Sequence, residues 1–461
     1  MSLSFHPSTF ASLSTCGLRG REFINLEENN LENLPETIPA KGGLDDANKC
    51  MKCGFCMYNC PIYKVDRIES HVARGRNVLI RQANEKTIPT DAEYAERLSY
   101  CLLCGRCAAI CPAKVQSPDI NVAARTDVVN RKGLSLPKRA IYRGILKNRK
   151  LMANLMGAVA IVPGVSTKDG KPLRHMADFT SVFTKGLSLP KLSKPFLSSR
   201  LPAKTSPPPG VKTKGQVAIF PGCAFEFFFA DIGEGIAQVL AKAGYEVVYI
   251  KDLTCCGLAV RSSGDLKTAQ LMAKHNIKKL AKFDRIITGC ATCGSALKDY
   301  GKWFADKDPF KKQAQEFSAK VSDFSEFLAK ERVKSRVAEP IIVTYHDPCH
   351  MKWHQGISSQ PRELLRSIEG VKFVEMEGAD DCCGLGGAFT LAHRDISLAI
   401  QDKKMQNIKN TGAQIVVTSC PGCLIQLKDG VRRNNLPVKV MHISELLNNN
   451  QVSTTNQSNK S

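Results

Sequence analysis

Four short apolar runs punctuate the second half of the chain: Val217-Ala218-Ile219-Phe220, Ile286-Ile287-Thr288, Ile341-Ile342-Val343-Thr344-Tyr345 and Ile415-Val416-Val417-Thr418. Each is rich in β-branched side chains, too short for a helix, and followed by a cysteine and a stretch of helical spacing. Strands buried on both faces of a parallel sheet, joined by crossover helices, have this pattern. The N-terminal part reads differently. Residues 69–83 alternate apolar and basic side chains at the helical period, and Thr90-Asp91-Ala92-Glu93 forms a capping box ahead of Tyr94 and Leu98. The expectation is an α+β multidomain chain: an all-α region, then two α/β parallel-sheet halves.

Cysteine spacing gives the pattern its chemistry. Eighteen of the nineteen cysteines fall into four compact groups. Cys50, Cys53, Cys56 and Cys60-Pro61 follow C-x2-C-x2-C-x3-C-P, and Cys101, Cys104, Cys107 and Cys111-Pro112 repeat it. Two-residue gaps let three thiolates converge from one turn, while the fourth, before proline, leaves the loop. Zinc sites pair widely separated doublets more often than they use such a run, so a four-iron, four-sulfur cube is the partner expected for each group. In two-cluster ferredoxins the fourth cysteine serves the other cube. On that pattern one cube takes Cys50, Cys53, Cys56 and Cys111, and the other takes Cys101, Cys104, Cys107 and Cys60. The helical insert between Cys60 and Cys101 makes this an all-α ferredoxin module.

The other two groups form an internal repeat. Cys223, Cys255-Cys256 and Cys290-x2-Cys293 are echoed by Cys349, Cys382-Cys383 and Cys420-x2-Cys423. In each copy the ligands follow strands and open helices, so they should gather at the carboxyl edge of a sheet, where helix N-termini favour an anionic centre. The two halves should pack as a pseudo-symmetric pair, each carrying five thiolates. Cys420-Pro421-Gly422-Cys423 taken alone resembles a thioredoxin redox pair, but its match in the first copy makes it half of a ligand set. His346, His350 and His354 lie four apart; packing or capping is the expected role, metal ligation the rival. Gly384-x-Gly386-Gly387 is too short for a dinucleotide fingerprint and reads as turn glycine beside a cluster.

Charge changes the picture less than its total suggests. The net charge is +22, but residues 132–214 hold seventeen Lys and Arg against two Asp, with nine prolines. We read this segment as a basic linker between a ferredoxin domain at 46–131 and cysteine-rich domains at 215–330 and 331–447. A solvated tether, an anionic membrane surface, an acidic partner and neutralisation of nearby clusters all remain open for it. Nucleic acid is not expected, because no basic-aromatic platform accompanies the charge. Inside the linker, Leu151 to Val165 is apolar but short of the ~20 residues of a membrane span; packing against the repeats is expected over an interfacial anchor. Residues 1–45 form an N-terminal tail whose first 21 residues are faintly transit-like, with Cys16 a spare. Residues 448–461 read as a disordered tail. A reducing compartment is implied by the thiols, so a cytoplasmic location is expected, with peripheral contact at the inner face of the membrane.

The five-cysteine arrangement resembles the CCG domain shared by heterodisulfide reductase catalytic subunits and the iron–sulfur subunits of glycolate, lactate and anaerobic glycerol-3-phosphate dehydrogenases. Two ferredoxin motifs followed by two such repeats resemble the glycolate oxidase iron–sulfur subunit family in order as well as composition. So do Cys53-Gly54-Phe55-Cys56, Ala73-Arg74-Gly75-Arg76, Gly294 to Gly301, Val321-Ser322-Asp323-Phe324, Asp347-Pro348-Cys349-His350 and Cys382 to Gly387. Family members often lack some repeat cysteines, whereas both sets are complete here. The resemblance implies two [4Fe-4S] clusters in the ferredoxin domain and a further four-iron cluster in each repeat. It also implies an FAD-binding dehydrogenase partner oxidising glycolate or D-lactate, with electrons relayed to a quinone or another acceptor. The chain shows no flavin or nicotinamide site of its own, so FAD is expected only on the partner, and no residue here is expected to act as an acid–base catalyst. A heterodisulfide reductase-like catalytic subunit is the alternative, as is the iron–sulfur subunit of an anaerobic glycerol-3-phosphate dehydrogenase.

Overall fold

The computed structural model describes residues 43–159, 190–331, 333 and 335–448. Cys16 and the transit-like segment lie outside the described residues, as do residues 160–165 of the apolar run. The N-terminal region is all helical. Helices Gly43–Asn48, Ala73–Asn84, Ala92–Ser99 and Ser117–Lys132 enclose a small core that includes Ala47, Ile80, Tyr94, Leu98 and Ile120. Burying a side chain such as Leu98 contributes about 2 kcal/mol. The helix expected after Thr90 starts one residue later than the capping box implies. Asp91, in extended backbone, is the cap, and its carboxylate accepts from Tyr94 N–H at 2.9 Å. The helix Gly43–Asn48 also begins inside the stretch read as tail.

Two sheets follow. The first contains β1 (Lys204–Thr205), β2 (Gly215–Ile219), β3 (Tyr245–Tyr249), β4 (Ile286–Thr288) and β5 (Val321–Asp323), in the order β1-β3-β2-β4-β5. All pairs are parallel except β1 with β3. The second contains β6 (Ser335–Tyr345), β7 (Ile368–Phe373), β8 (Ile415–Thr418) and β9 (Lys439–His442), in the order β7-β6-β8-β9, all parallel. Without the edge strand β1, the first sheet repeats the strand order of the second. In both, the central strand has its sequence successors on either side, which opens a crevice at the carboxyl ends of the strands. The apolar runs are those strands: Val217, Ala218, Val343, Val416 and Val417 are fully buried.

The described part of the basic segment is folded, not a solvated tether. It forms helices at Leu136–Arg139, Ala140–Leu146 and Arg149–Val159, a short helix at Leu197–Arg200 and the strand β1. Its cations meet acids of the first repeat and of the helix end just beyond it, which is the physical reason. Arg143 pairs with Asp265 at 2.8 Å, Arg149 with Glu226 at 2.9 Å and Lys214 with Glu331 at 2.8 Å. The apolar run packs through Met152 but leaves Leu151 and Leu155 exposed, so the expected burial holds for one face only. No helix among the described residues is long and apolar enough to cross a membrane. Asn448, taken as the start of the C-terminal tail, is instead buried, accepting from Lys242 and donating to Gln238.

Candidate metal centres

The two N-terminal cysteine loops share one backbone path. Lys52 and Leu103, each just before the second cysteine, have φ of 57° and 52°, and Gly54 and Gly105, just after it, have φ of 86° and 83°. This left-handed pair turns the chain so that the following helix opens one residue before the third cysteine. At Gly105 the space is needed too: a Cβ there would sit 2.6 Å from His354 Nε2.

The thiols then converge across the motifs. Burial pushes the Cys60 thiol up, with Cys101 adding to it and the buried Arg76 opposing. Burial also raises Cys107, helped by the neighbouring Cys101 and Cys60. Cys60 thus lies within electrostatic reach of the second motif as well as of Cys56 in its own. Cys50 and Cys111 pack against one apolar cluster, Cys60 and Cys104 against another. Cys53 is exposed, whereas the other seven thiols of these motifs are half-buried.

The ten repeat cysteines form one continuous run of neighbouring thiols. Cys223 lies beside Cys255, Cys255 beside Cys256, Cys256 beside Cys293, and Cys293 beside Cys290. Cys290 meets Cys420 of the second repeat, and the run continues through Cys423, Cys383, Cys382 and Cys349. Cys290 and Cys420 are the N-caps of the helices Ala291–Asp299 and Pro421–Arg433. Gly384, at φ 95°, lets the chain turn after Cys382-Cys383; a Cβ there would come 2.6 Å from Ser397 O. Contact with Cys223 lowers Cys255, but contact with Cys256 and burial outweigh it, and the thiol stands at about 12. Cys382 stands at about 12 through the matching contacts with Cys349 and Cys383. Cys256 and Cys383 are held down by the donors around them, Cys255 and Cys293 in one copy and Cys382 and Cys423 in the other. Ten crowded thiols can ionise together only by losing protons to a cation that replaces them.

The second N-terminal motif lies at the far end of this run. Burial raises the Cys104 thiol, and next in weight are Cys349 and Cys382. Lys64 reaches Asp381 at 3.2 Å, Arg106 reaches Asp380 at 3.6 Å and also binds Asp381, and Ser99 meets His393 Nε2 at 2.8 Å. On the first-repeat side, Arg125 donates to Ser262 O at 2.8 Å and Arg261 pairs with Asp119 at 2.9 Å. A cavity of about 560 Å³ sits where the three parts meet, lined by cysteines of both repeats with Leu102, Leu258 and Phe389. Thiolate donors around such a space fit iron–sulfur centres.

The three histidines separate in role. His346 precedes the helix Cys349–Gln355, whereas His350 and His354 lie on it. His354 Nε2 bonds to Leu103 O at 3.1 Å, and His350 Nδ1 lies 3.3 Å from Thr292 Oγ1. Neither ring nitrogen of His346 has a hydrogen-bond partner among the described residues. Cysteine spacing also left out the cations beside the thiols: the buried Arg76 and Lys404 and the half-buried Arg125. Arg76 carried a signal, as a charged residue on the apolar face of an otherwise regular helix.

Comparison with known proteins places this arrangement among iron–sulfur proteins that join a dicluster ferredoxin unit to paired CCG units. The chain matches the 4Fe-4S dicluster domain family over residues 46–115 and the cysteine-rich domain family, CCG, over 217–298 and 343–428. Within that class, it belongs to the glycolate oxidase iron–sulfur subunit family. A "Probable glycolate oxidase iron-sulfur subunit" of Bacillus subtilis is 31% identical, over 86% of this chain and 92% of the relative. One subunit of the fumarate reductase (CoM/CoB) of Methanothermobacter marburgensis is 30% identical, over 86% of this chain and 71% of its own. "Lactate utilization protein A 1" of Bacillus mycoides is 30% identical over 50% of this chain and 96% of its own.

Proposed function

We propose that the chain is the electron-transfer subunit of an FAD-dependent 2-hydroxyacid dehydrogenase acting on glycolate or D-lactate. It receives electrons from a flavin-bearing partner and relays them to a quinone or another acceptor. The observation that carries this reading is the unbroken order of thiols, from the N-terminal motifs through Cys104 to Cys349 and on across Cys420 to Cys290. Iron–sulfur clusters supply one-electron transfer, and a flavin can split the electron pair of a hydroxy acid. The chain's part is to hold the stations in sequence. Cys50, Cys53, Cys56 and Cys111 hold one cube, and Cys101, Cys104, Cys107 and Cys60 the other. The five thiols of each repeat hold one further four-iron cluster. Met51, Phe55 and Tyr58 are 66%, 59% and 81% exposed around the exposed Cys53, an apolar face suited to seating the partner. A quinone acceptor sets the complex on the cytoplasmic side, in peripheral contact with the membrane.

The second reading is catalysis of disulfide chemistry at the adjoining repeat sets, favoured by the cavity at their junction and by the Methanothermobacter relative. Anaerobic co-purification with neighbouring gene products, followed by iron counting and flavin analysis, separates the two. The relay predicts flavin on a partner and iron well above the roughly eight atoms of two cubes. A b-type cytochrome partner without flavin would favour the reductase, and iron near eight would leave the repeats empty.

A further inference from the structure

The two repeats differ at one position that faces the cysteines. Phe220 and His346 each stand three residues before the first cysteine of their set, and each is the first residue after the central strand. Their backbones are held alike: Phe220 N–H donates to Ile287 O at 2.8 Å, and His346 N–H to Val417 O at 2.9 Å. Both side chains are 1% exposed. The fold accepts an apolar ring at this place in the first repeat, so packing does not call for an imidazole in the second. A buried imidazole without a well-formed hydrogen bond costs about 1–3 kcal/mol, and neither nitrogen of His346 makes one, the Ala379 backbone interacting with the ring only weakly. A nitrogen of His346 and the sulfurs of Cys383 and Cys423 all lie within 4.8 Å of one another, and the two sulfurs are 3.6 Å apart.

We propose that His346 is a donor to the second metal centre, its imidazole nitrogen bonding to an iron that Cys383 and Cys423 also hold. This rests on the reading that the cysteine sets carry iron. The arrangement makes the second centre a mixed nitrogen–sulfur site, while the first is held by sulfur alone. The imidazole adds a neutral donor to a thiolate set that stays complete, and the ligands and hydrogen bonds around an iron–sulfur centre set its potential.

The test uses the full chain, reconstituted without oxygen with iron and sulfide, in unlabelled and 15N-histidine forms. Pulsed electron paramagnetic resonance of its paramagnetic state should show a directly bonded nitrogen, with the coupling changed by the label. His346→Phe, which copies the first repeat, should retain iron, lose that coupling, and shift the potential of the second centre while leaving the first unchanged. Iron-loaded repeats with no histidine coupling would overturn this inference alone, as would a coupling that survives His346→Phe. Repeats that bind no iron would overturn it together with the relay.

Discussion

The two cysteine-rich repeats share strand order and thiol sequence but surround their sulfurs differently. In the first, Asn276 accepts from Thr254 N–H and donates to Cys255 O, and the buried Tyr300 hydroxyl donates to Cys256 O at 2.9 Å. In the second, the buried Lys404 ammonium donates to Gly378 O and Ala379 O, within electrostatic reach of Cys382 and Cys383. Neutral donors thus stand around Cys255 and Cys256, with Arg149 acting on Cys223 at the end of that set, whereas a buried lysine faces the Cys382-Cys383 pair directly. A duplicated scaffold can hold two centres of one composition at different potentials, because potential depends on nearby charge and hydrogen bonds as well as on ligands.

The largest effects should come from breaking one set at a time. Cys383→Ser should cost about four irons per chain and also stop the N-terminal clusters from reducing the first repeat, since the second set lies between them. Cys256→Ser should cost a similar amount but leave the second centre reducible. Iron analysis and stepwise anaerobic reduction read both outcomes; equal loss of reduction in the two variants would sink the proposed order. Next, Lys404→Met should lower the potential of the second centre only. A unit charge several ångströms away in a protein interior is worth about 2 kcal/mol, roughly 100 mV. A redox titration followed by electron paramagnetic resonance measures it.

The smallest effect concerns the ends of the two sheets. Asp323, the last residue of β5, and His442, the last of β9, occupy matching places, and each accepts from the serine two residues on. Burial raises Asp323 to about 6 and lowers His442 to about 4. The neutral acid favours the fold at low pH, and that contribution is lost as pH rises through 6. The neutral imidazole favours it at high pH, and that contribution is lost as pH falls through 6.5 toward 4. The two oppose each other across this window, each by roughly 3 kcal/mol at its limit. Asp323→Asn should therefore raise stability at pH 7 by about 1–3 kcal/mol and make its fall from pH 6.5 to 4 steeper, as thermal unfolding would register.

Much of this was legible before any coordinates. Apolar runs such as Ile415–Thr418 could be read as strands because burial on both faces leaves no polar alternation. The cysteine groups could be read because a cluster loop is local in sequence. What could not be read is long-range. Nothing in the spacing says that Cys104 meets Cys349, or that Cys290 meets Cys420, because these contacts follow from how whole units dock. The basic segment misled for a related reason: Arg143 and Arg149 look solvated until Asp265 and Glu226, more than seventy residues on, come alongside. His346 could be picked out by its spacing, but its role depends on which partners are missing.

The N-terminal module is fastened on two sides, to the second repeat through Lys64, Arg106 and Ser99 and to the first through Arg125 and Asp119. A carrier held this way does not swing between a pick-up point and a delivery point. On the proposed relay, electrons tunnel through stationary matter, at rates governed by edge-to-edge separation and driving force. Any control over timing then belongs to the moment at which a partner lands beside Cys53.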